Sequence, residues 1–192
     1  MSENAIFDAT QALRTRLGEA VGGVNQIHVG PPVPAEVGES KVSLFLFHLQ
    51  VNQCMRNEIL LEPISSPEPA TLPATRRDVL PLDLRFLITV FRSPEPAAAI
   101  PNELTTLGQI IQILQAEPTL PIGSTGGYAV RVTPEPYPME EVSRVWGLFP
   151  QDIYRTSMVY LASPVMVDAR RYPAGEPVLE KTMRNGIQEA NA

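Results

Sequence analysis

Proline divides this chain into short regular segments. The sequence contains 20 prolines among 192 residues, which is about twice the share usual in globular proteins. Because proline fixes φ and lacks a backbone N–H, it cannot continue a helix or the middle of a strand ladder. The prolines therefore predict where regular elements end and where connections are stiff. Most of them lie in five groups: Pro31, Pro32 and Pro34; five prolines within residues 63–81; Pro94, Pro96 and Pro101; Pro134, Pro136 and Pro138; and Pro173 and Pro177.

Two apolar, β-rich segments lie between these groups and predict the main strands. Residues 42–51 and 82–91 are apolar on both alternating faces, which is typical of strands covered on both sides. We expect these two strands to form the centre of the sheet. Shorter strands are expected at residues 27–29, at residues 128–133 after a glycine-rich turn, and at residues 157–167, where Pro164 requires an edge or a bulge.

Three amphipathic helices are predicted from apolar residues at helical spacing. The first has Ser2 as its candidate N-cap and ends at Gly22 and Gly23; the second has Asn102 as its candidate N-cap and ends before Pro118. The third begins at Pro138. Their expected buried stripes are, in order, Ile6, Ala9, Leu13, Leu17 and Val21; Leu104, Leu107, Ile110, Ile111 and Leu114; and Val142, Val145 and Trp146. The resulting fold class is α/β (α+β), a mixed sheet flanked by about three helices.

Composition narrows the classes of function. The net charge is −6 and the basic residues are scattered, which disfavours nucleic acid as a partner. No apolar run is long enough for a membrane span and the first residues do not resemble a signal peptide, so assembly in the cytoplasm is expected. A single cysteine, Cys54, excludes an internal disulfide.

Catalytic, cofactor and metal sites have no support in the residue pattern. His28 and His48 both lie in predicted strands, where a structural role is the default. They provide no spaced ligand set with Cys54. The segment of residues 123–127 is glycine-rich but lacks a P-loop lysine and leads into a strand, so it is interpreted as a turn.

Four charged residues have structural interpretations. Glu140 and Glu141 suit the first turn of a helix, where carboxylates complement the helix dipole. Asp83 and Arg85 share one side of a strand and are expected to be solvated, or paired with neighbours or with another subunit.

Two long segments without hydrophobic periodicity are the candidate contact regions. Residues 52–81 exceed the usual connection in a compact domain, and their apolar residues are expected to add an edge hairpin or to be covered by a partner. Residues 171–192 form a polar arm that follows a domain of residues 1–170. The candidate interface residues are Arg56, Ile59, Leu61, Arg76, Arg77, Arg170, Arg171 and Tyr172.

Four sequence blocks, in order, resemble the N-terminal domain family of cap, or tail-terminator, proteins of extracellular contractile injection systems. Residues 42–47, VSLFLF, are similar to the family's VSLYLY strand, and residues 82–91, LDLRFLITVF, are similar to LDLxYLLTxY. Residues 136–146, PYPMEEVSRVW, resemble the helix start EPLSLEELSRLW, and residues 154–161, YRTSMVYL, resemble YRLSLxYEV.

This resemblance implies a structural role without catalytic residues. It implies a homohexameric ring on the end of the inner tube and the last sheath layer of a phage-tail-like particle, and partners that are sheath and tube proteins rather than nucleic acid or membrane. Two alternatives stay open: a connector or terminator of a true phage tail or related secretion machine, and a small soluble enzyme with an unrecognised site.

Overall fold

A six-stranded mixed sheet organises the fold. The computed structural model describes residues 4–56, 60–61, 76–77, 79–91, 99–122, 128–149 and 154–168. The strands are β1 (Ile27–Val29), β2 (Val42–Val51), β3 (Leu60–Leu61), β4 (Arg76–Arg77), β5 (Val79–Val90), β6 (Thr119–Ile122), β7 (Tyr128–Pro134) and β8 (Ser157–Asp168). The main sheet has the order β1-β2-β5-β8-β7-β6; β1 and β2 are parallel, and the other neighbours are antiparallel. β3 and β4 form a separate antiparallel pair.

Helices pack on this sheet, which confirms the predicted fold class. They are α1 (Ala5–Val21), α2 (Pro34–Val37), α3 (Ala99–Ala116) and α4 (Met139–Trp146), with a 3₁₀ turn at Val24–Gln26. The short helix α2 and the strand β6 were not predicted, because each has only four residues, too few to show a hydrophobic periodicity.

Helix α1 follows its sequence pattern closely. Ala9, Leu13, Leu17 and Val21 are buried as predicted, and Ile6 is half-buried against the same core. The helix packs against α3 and lies over β8, β6 and β1. It begins after Asn4, whose side chain makes no capping hydrogen bond, and the predicted cap Ser2 lies outside the described residues.

Two exposed glycines differ in what their backbones require, and this difference predicts opposite effects of the same substitution. Gly22 ends α1 at φ 91°, where a side chain is strained, whereas Gly108 lies inside α3; an added Cβ would meet nothing within 4 Å at either residue. We expect Gly22→Ala to lower the free energy of unfolding by about 1 kcal/mol and Gly108→Ala to raise it by about 0.5–1 kcal/mol. Urea unfolding of both variants measures this, and equal signs would contradict it.

The strands β2 and β5 pair directly, but they do not together form the centre of the sheet. The central strands are β5 and β8, which have two further strands on either side, whereas only β1 lies beyond β2 and covers its first three residues. β2 is accordingly buried at Val42, Ser43 and Leu44 and becomes exposed toward its end. The prediction of a strand covered on both sides along its whole length is therefore wrong for its second half.

Helix α3 differs from prediction at its start and on its outer face. It begins at Ala99, so Asn102 lies inside the helix rather than capping it. Ile110 and Leu114 are buried, but Leu104 is 61% exposed and Ile111 is 39% exposed. At about 100° per residue, positions 104 and 111 are turned roughly 100–120° away from Ile110. The predicted stripe was therefore too wide.

The opposite face of the sheet has a smaller core around α4. Trp146 and Val142 of α4 pack with Leu87 of β5 and Val159 of β8. Aromatic rings extend this cluster edge to face: Trp146 contacts Phe149 and Tyr154, with ring centroids at 6.2 and 5.6 Å. The predicted role of Trp146 as a core anchor is confirmed.

Strand β8 contains the irregularity that Pro164 predicted. Two residues, Ser163 and Pro164, lie opposite the single residue Asp83 of β5, which makes this a bulge. β8 is not an edge strand, since β7 pairs with it as far as Ser163.

Candidate assembly interface

The predicted contact residues fall on different parts of the structure. Arg56 is exposed in the turn after β2, and its N–H donates to the Asn52 carbonyl at 3.0 Å. Leu61 and Arg76 are register partners in the β3–β4 pair, and Arg77 pairs with Leu60. An antiparallel pair therefore exists within residues 52–81, but it is separate from the six-stranded sheet and does not extend its edge as predicted. Ile59, Arg170, Arg171 and Tyr172 lie outside the described residues.

A partly buried polar cluster, here called the clamp, holds the chain at the end of β2. It comprises Asn52, Asp83 and Ser163. The Asn52 amide donates to Asp83 Oδ1 at 2.9 Å and to Ser163 Oγ at 3.2 Å, and Ser163 Oγ donates to Asp83 Oδ1 at 2.6 Å. The Gln50 amide adds a longer contact of 3.4 Å to Asp83 Oδ2.

The clamp joins three segments at the start of the predicted contact loop. Asn52 Oδ1 accepts the Met55 N–H at 2.9 Å, so the same side chain also orders the turn that leads to Arg56. Asp83 is only 8% exposed, and its hydrogen bonds satisfy a carboxyl group that is largely removed from water. The structural pairing expected for Asp83 is confirmed. Its partners were not predicted, because they come from distant parts of the sequence.

Removal of the Asn52 side chain is expected to destabilise the fold measurably. Asn52→Ala removes the amide that donates to Asp83 and the oxygen that accepts the Met55 N–H, while Asp83 keeps the hydrogen bond from Ser163. We therefore expect the free energy of unfolding to fall by about 1–3 kcal/mol. Thr15→Ala is the matched control, because its hydroxyl makes one exposed hydrogen bond within α1. Chemical denaturation compares the two; a loss no larger in Asn52→Ala than in the control would disprove the role of the clamp.

Arg85 forms an ion pair with Glu135 on the same face of the sheet. Its Nε and Nη2 donate to the two carboxylate oxygens at 2.7 and 2.9 Å, and the two side chains are 13% and 23% exposed. This hydrogen bonding raises the pKa of Arg85, with a smaller opposing effect of burial. The sequence left open whether Arg85 pairs with a neighbouring side chain or with another subunit. The structure shows that it pairs within its own chain.

Exposed apolar side chains form two groups beyond the scattered ones on the helices. Leu49, Val51 and Leu80, here called the strand-end patch, are 44%, 39% and 46% exposed. A second group, Met139, Leu148 and Tyr154, borders α4 at 61%, 67% and 45% exposure. Neither group was predicted as a surface; the alternating apolar residues at the end of β2 were interpreted as core.

The residues considered for chemistry are dispersed. His48 is exposed on β2 and His28 lies on β1 at the edge of the sheet, while Cys54 is an exposed thiol after β2. Glu140 and Glu141 both pair with Arg144 on the surface of α4. Within the described ranges, no three His, Cys, Asp or Glu side chains are grouped to hold a metal ion. Residues 123–127 lie outside those ranges.

The described part of the chain holds no helix with the length and apolar character needed to cross a membrane.

The described residues form an α/β domain built on a six-stranded mixed sheet. The chain is similar to the structure of a PVC sheath/tube terminator in its extended state, from an extracellular contractile injection system. The TM-score is 0.59 at 18% identity, over 93% of this chain and 64% of that one. It is also similar to the anti-feeding prophage cap, the AFP tube terminating cap, with a TM-score of 0.54 at 13% identity, over 96% of this chain and 61% of that one.

The family follows from the sequence match. The model of the Pvc16 N-terminal domain matches residues 8–180, and the chain belongs to this family. It spans less than two thirds of the length of the two similar structures. No curated protein matches it.

Proposed function

We propose that this chain is a cap subunit that terminates the inner tube and sheath of an extracellular contractile injection particle. The observation that carries the proposal is the family match over residues 8–180, together with a fold similar to a sheath/tube terminator and to a tube terminating cap. The role is structural: the subunit ends assembly and fixes the length of the tail. Its partners are the last layers of tube and sheath, and particle assembly takes place in the cytoplasm before release.

The cap is proposed to be a homohexameric ring. A closed ring requires two different complementary surfaces on each subunit. The structure offers separate exposed apolar groups at the strand-end patch and beside α4. Two such surfaces support a heterologous contact, in which one surface of a subunit binds the other surface of its neighbour.

The contact arms are proposed to be the loop after β2 and the polar arm of residues 171–192, which follows the domain of residues 1–170. The clamp supports this assignment for the loop, because it fixes the direction in which the chain leaves β2 at Asn52. The proposed contact residues lie in these arms or, for Arg170, directly before the second one: Arg56, Ile59, Leu61, Arg76, Arg77, Arg170, Arg171 and Tyr172.

Particles assembled without this chain test the proposal. We expect tails of variable length with open ends, and restoration of a single length when the full chain is supplied. Electron microscopy measures the length distribution. An unchanged distribution without the chain would refute the cap function. Restoration by a chain that lacks residues 171–192 would refute only the role of the arm.

A further inference from the structure

The outward face of α3 carries no charged side chain. Charged residues make up 19% of the whole chain, and the exposed faces of α1 and α4 include Glu19, Glu140 and Arg144. In α3, by contrast, Glu103 is the single charged residue of the sequence AIPNELTTLGQIIQILQA, and it is half-buried. Depletion of charge is typical of the central part of a protein–protein interface. This face is therefore suited to contact with another protein surface.

Four residues form one row along this face, here called the α3 row: Leu104, Gly108, Ile111 and Gln115. Their spacing of four, three and four residues places them within about 60° of one another around the helix axis. All four are exposed, Leu104 at 61% and Ile111 at 39%. The α3 row is therefore a second, largely apolar face of the helix, turned away from the core.

Gly108 makes a depression in the middle of the α3 row. An added Cβ at this residue would meet nothing within 4 Å, and the backbone there is helical, so the described part of the subunit does not require a glycine. Glycine inside a helix costs about 1 kcal/mol of stability relative to alanine. The missing side chain leaves room between Leu104 and Ile111 for an aliphatic side chain of another molecule. Such a contact explains a glycine that the isolated fold does not need.

The strand-end patch is a second exposed surface without charge. Its members Leu49, Val51 and Leu80 are 44%, 39% and 46% exposed, and residues 49–55, LQVNQCM, contain no charged side chain. The nearby Asp83 alternates with the core residues of β5, so its side chain lies on the other face of the sheet. The patch therefore presents aliphatic side chains without charge, as the α3 row does.

Amide side chains border both surfaces. Gln115 ends the α3 row and Gln112 follows Ile111, while Gln53 is exposed in the turn after β2. Each amide has two N–H donors and an oxygen acceptor, so amides from the two surfaces can hydrogen-bond to one another without a counter-ion. The α3 row and the strand-end patch thus match in their apolar and in their polar parts.

The apolar group beside α4 matches the strand-end patch less well. Met139 precedes Glu140 and lies one turn before Arg144, and the latter two side chains are 77% and 66% exposed and form an ion pair. An uncharged patch placed on this group would remove water from both charges without offering them new partners, which opposes binding. The patch therefore fits the α3 row in preference to α4.

We propose that the strand-end patch of one copy packs on the α3 row of the next copy in the ring, with Leu49 or Leu80 against Gly108. Both surfaces are exposed in the single subunit, so they do not cover each other within it. They are different parts of one subunit, as a closed ring requires, whereas an α3 row that contacts its own equivalent would give an isologous pair. This inference rests on the proposed cap function.

Cross-linking from the single cysteine tests the contact. Cys54 is exposed just after β2, and Thr105→Cys or Gln115→Cys places a second thiol near one end of the α3 row. Isotope-labelled and unlabelled copies of each full-length variant are assembled together into particles and treated with a short bis-maleimide. We expect mixed-isotope peptide pairs that join Cys54 to one of the two new thiols. Glu140→Cys is the control on α4 and should give no such pair.

Three cross-linking results would overturn the inference. The first is the absence of mixed pairs from either α3 variant. The second is mixed pairs that join two α3 thiols and none that reach Cys54, which would indicate an isologous contact. The third is mixed pairs from Cys54 to the thiol on α4 in place of those on α3.

Filling the depression at Gly108 separates the contact from the fold. Gly108→Gln introduces a better helix former that meets no neighbour within the described subunit, so the melting temperature should be unchanged or higher. Added to the cross-linking variant, it should lower the mixed cross-link about tenfold, because it overpacks the contact. Ser143→Gln, which adds a similar side chain at an exposed position of α4, should retain the cross-link. An unchanged cross-link in Gly108→Gln would contradict the proposed packing.

The two proposals fail differently in these particles. Capped particles of normal length without a mixed cross-link from α3 contradict only the contact between the patch and the α3 row. Particles whose ends lack the chain contradict the cap function itself.

Discussion

Replacement of Trp146 by alanine is expected to lower the free energy of unfolding by about 3–5 kcal/mol. Trp146 is 6% exposed and joins Val142, Leu87 and Val159 in the core beneath α4. Its ring also contacts Phe149 and Tyr154 edge to face. Alanine would leave a cavity at the centre of this small cluster, which has few other large side chains to close it. Guanidinium unfolding monitored by circular dichroism measures the loss.

Leu148→Ala is the matched control for Trp146→Ala. Leu148 lies two residues further along but is 67% exposed, so its truncation should change the free energy of unfolding by no more than about 0.5 kcal/mol. Equal losses in the two variants would show that α4 is not anchored through Trp146.

Removal of Arg85 alone is expected to destabilise the fold more than removal of Arg85 together with its partner. Arg85→Met leaves the Glu135 carboxylate partly buried without a cation, and we expect a loss of about 2–3 kcal/mol, below the full cost for a completely buried pair. The double variant Arg85→Met with Glu135→Met leaves no such charge and should recover much of this loss.

A double-mutant cycle separates this pair from ordinary packing. The coupling free energy between the two positions is obtained from the wild type, Arg85→Met, Glu135→Met and the double variant. The exposed pair of Arg144 and Glu140 is the control, because both side chains are more than half exposed and should couple by less than about 0.5 kcal/mol. A coupling at Arg85 no stronger than at Arg144 would contradict a structural role.

Local sequence patterns correctly predicted the elements whose buried residues follow a regular hydrophobic periodicity. α1 follows its apolar stripe to the terminating Gly22, and β5 is buried on both faces as its largely apolar sequence indicates. Trp146 and Val142 are buried as their spacing predicted. In these segments the periodicity of the side chains and the packing of the fold impose the same arrangement.

Prediction failed where burial depends on a distant neighbour. The end of β2 is as apolar as its start, yet β1 is too short to cover it, so Leu49 and Val51 are exposed. Leu104 and Ile111 likewise fit a helical stripe but face away from α1 and the sheet. Composition alone cannot distinguish an apolar residue in a core from one on an interface.

The candidate interface was predicted only in outline. The loop of residues 52–81 was singled out by its length and prolines, and the β3–β4 pair lies within it. The clamp was not foreseen, since Asn52, Asp83 and Ser163 are distant in sequence and meet through the bulge in β8. The Glu135 partner of Arg85 was missed for the same reason.

Cryo-electron microscopy of the particle end shows directly whether this chain is a cap. We expect one ring of six copies of this chain in contact with the last tube and sheath layers. Ends without this chain, or copies distributed along the tail, would contradict its function as a cap.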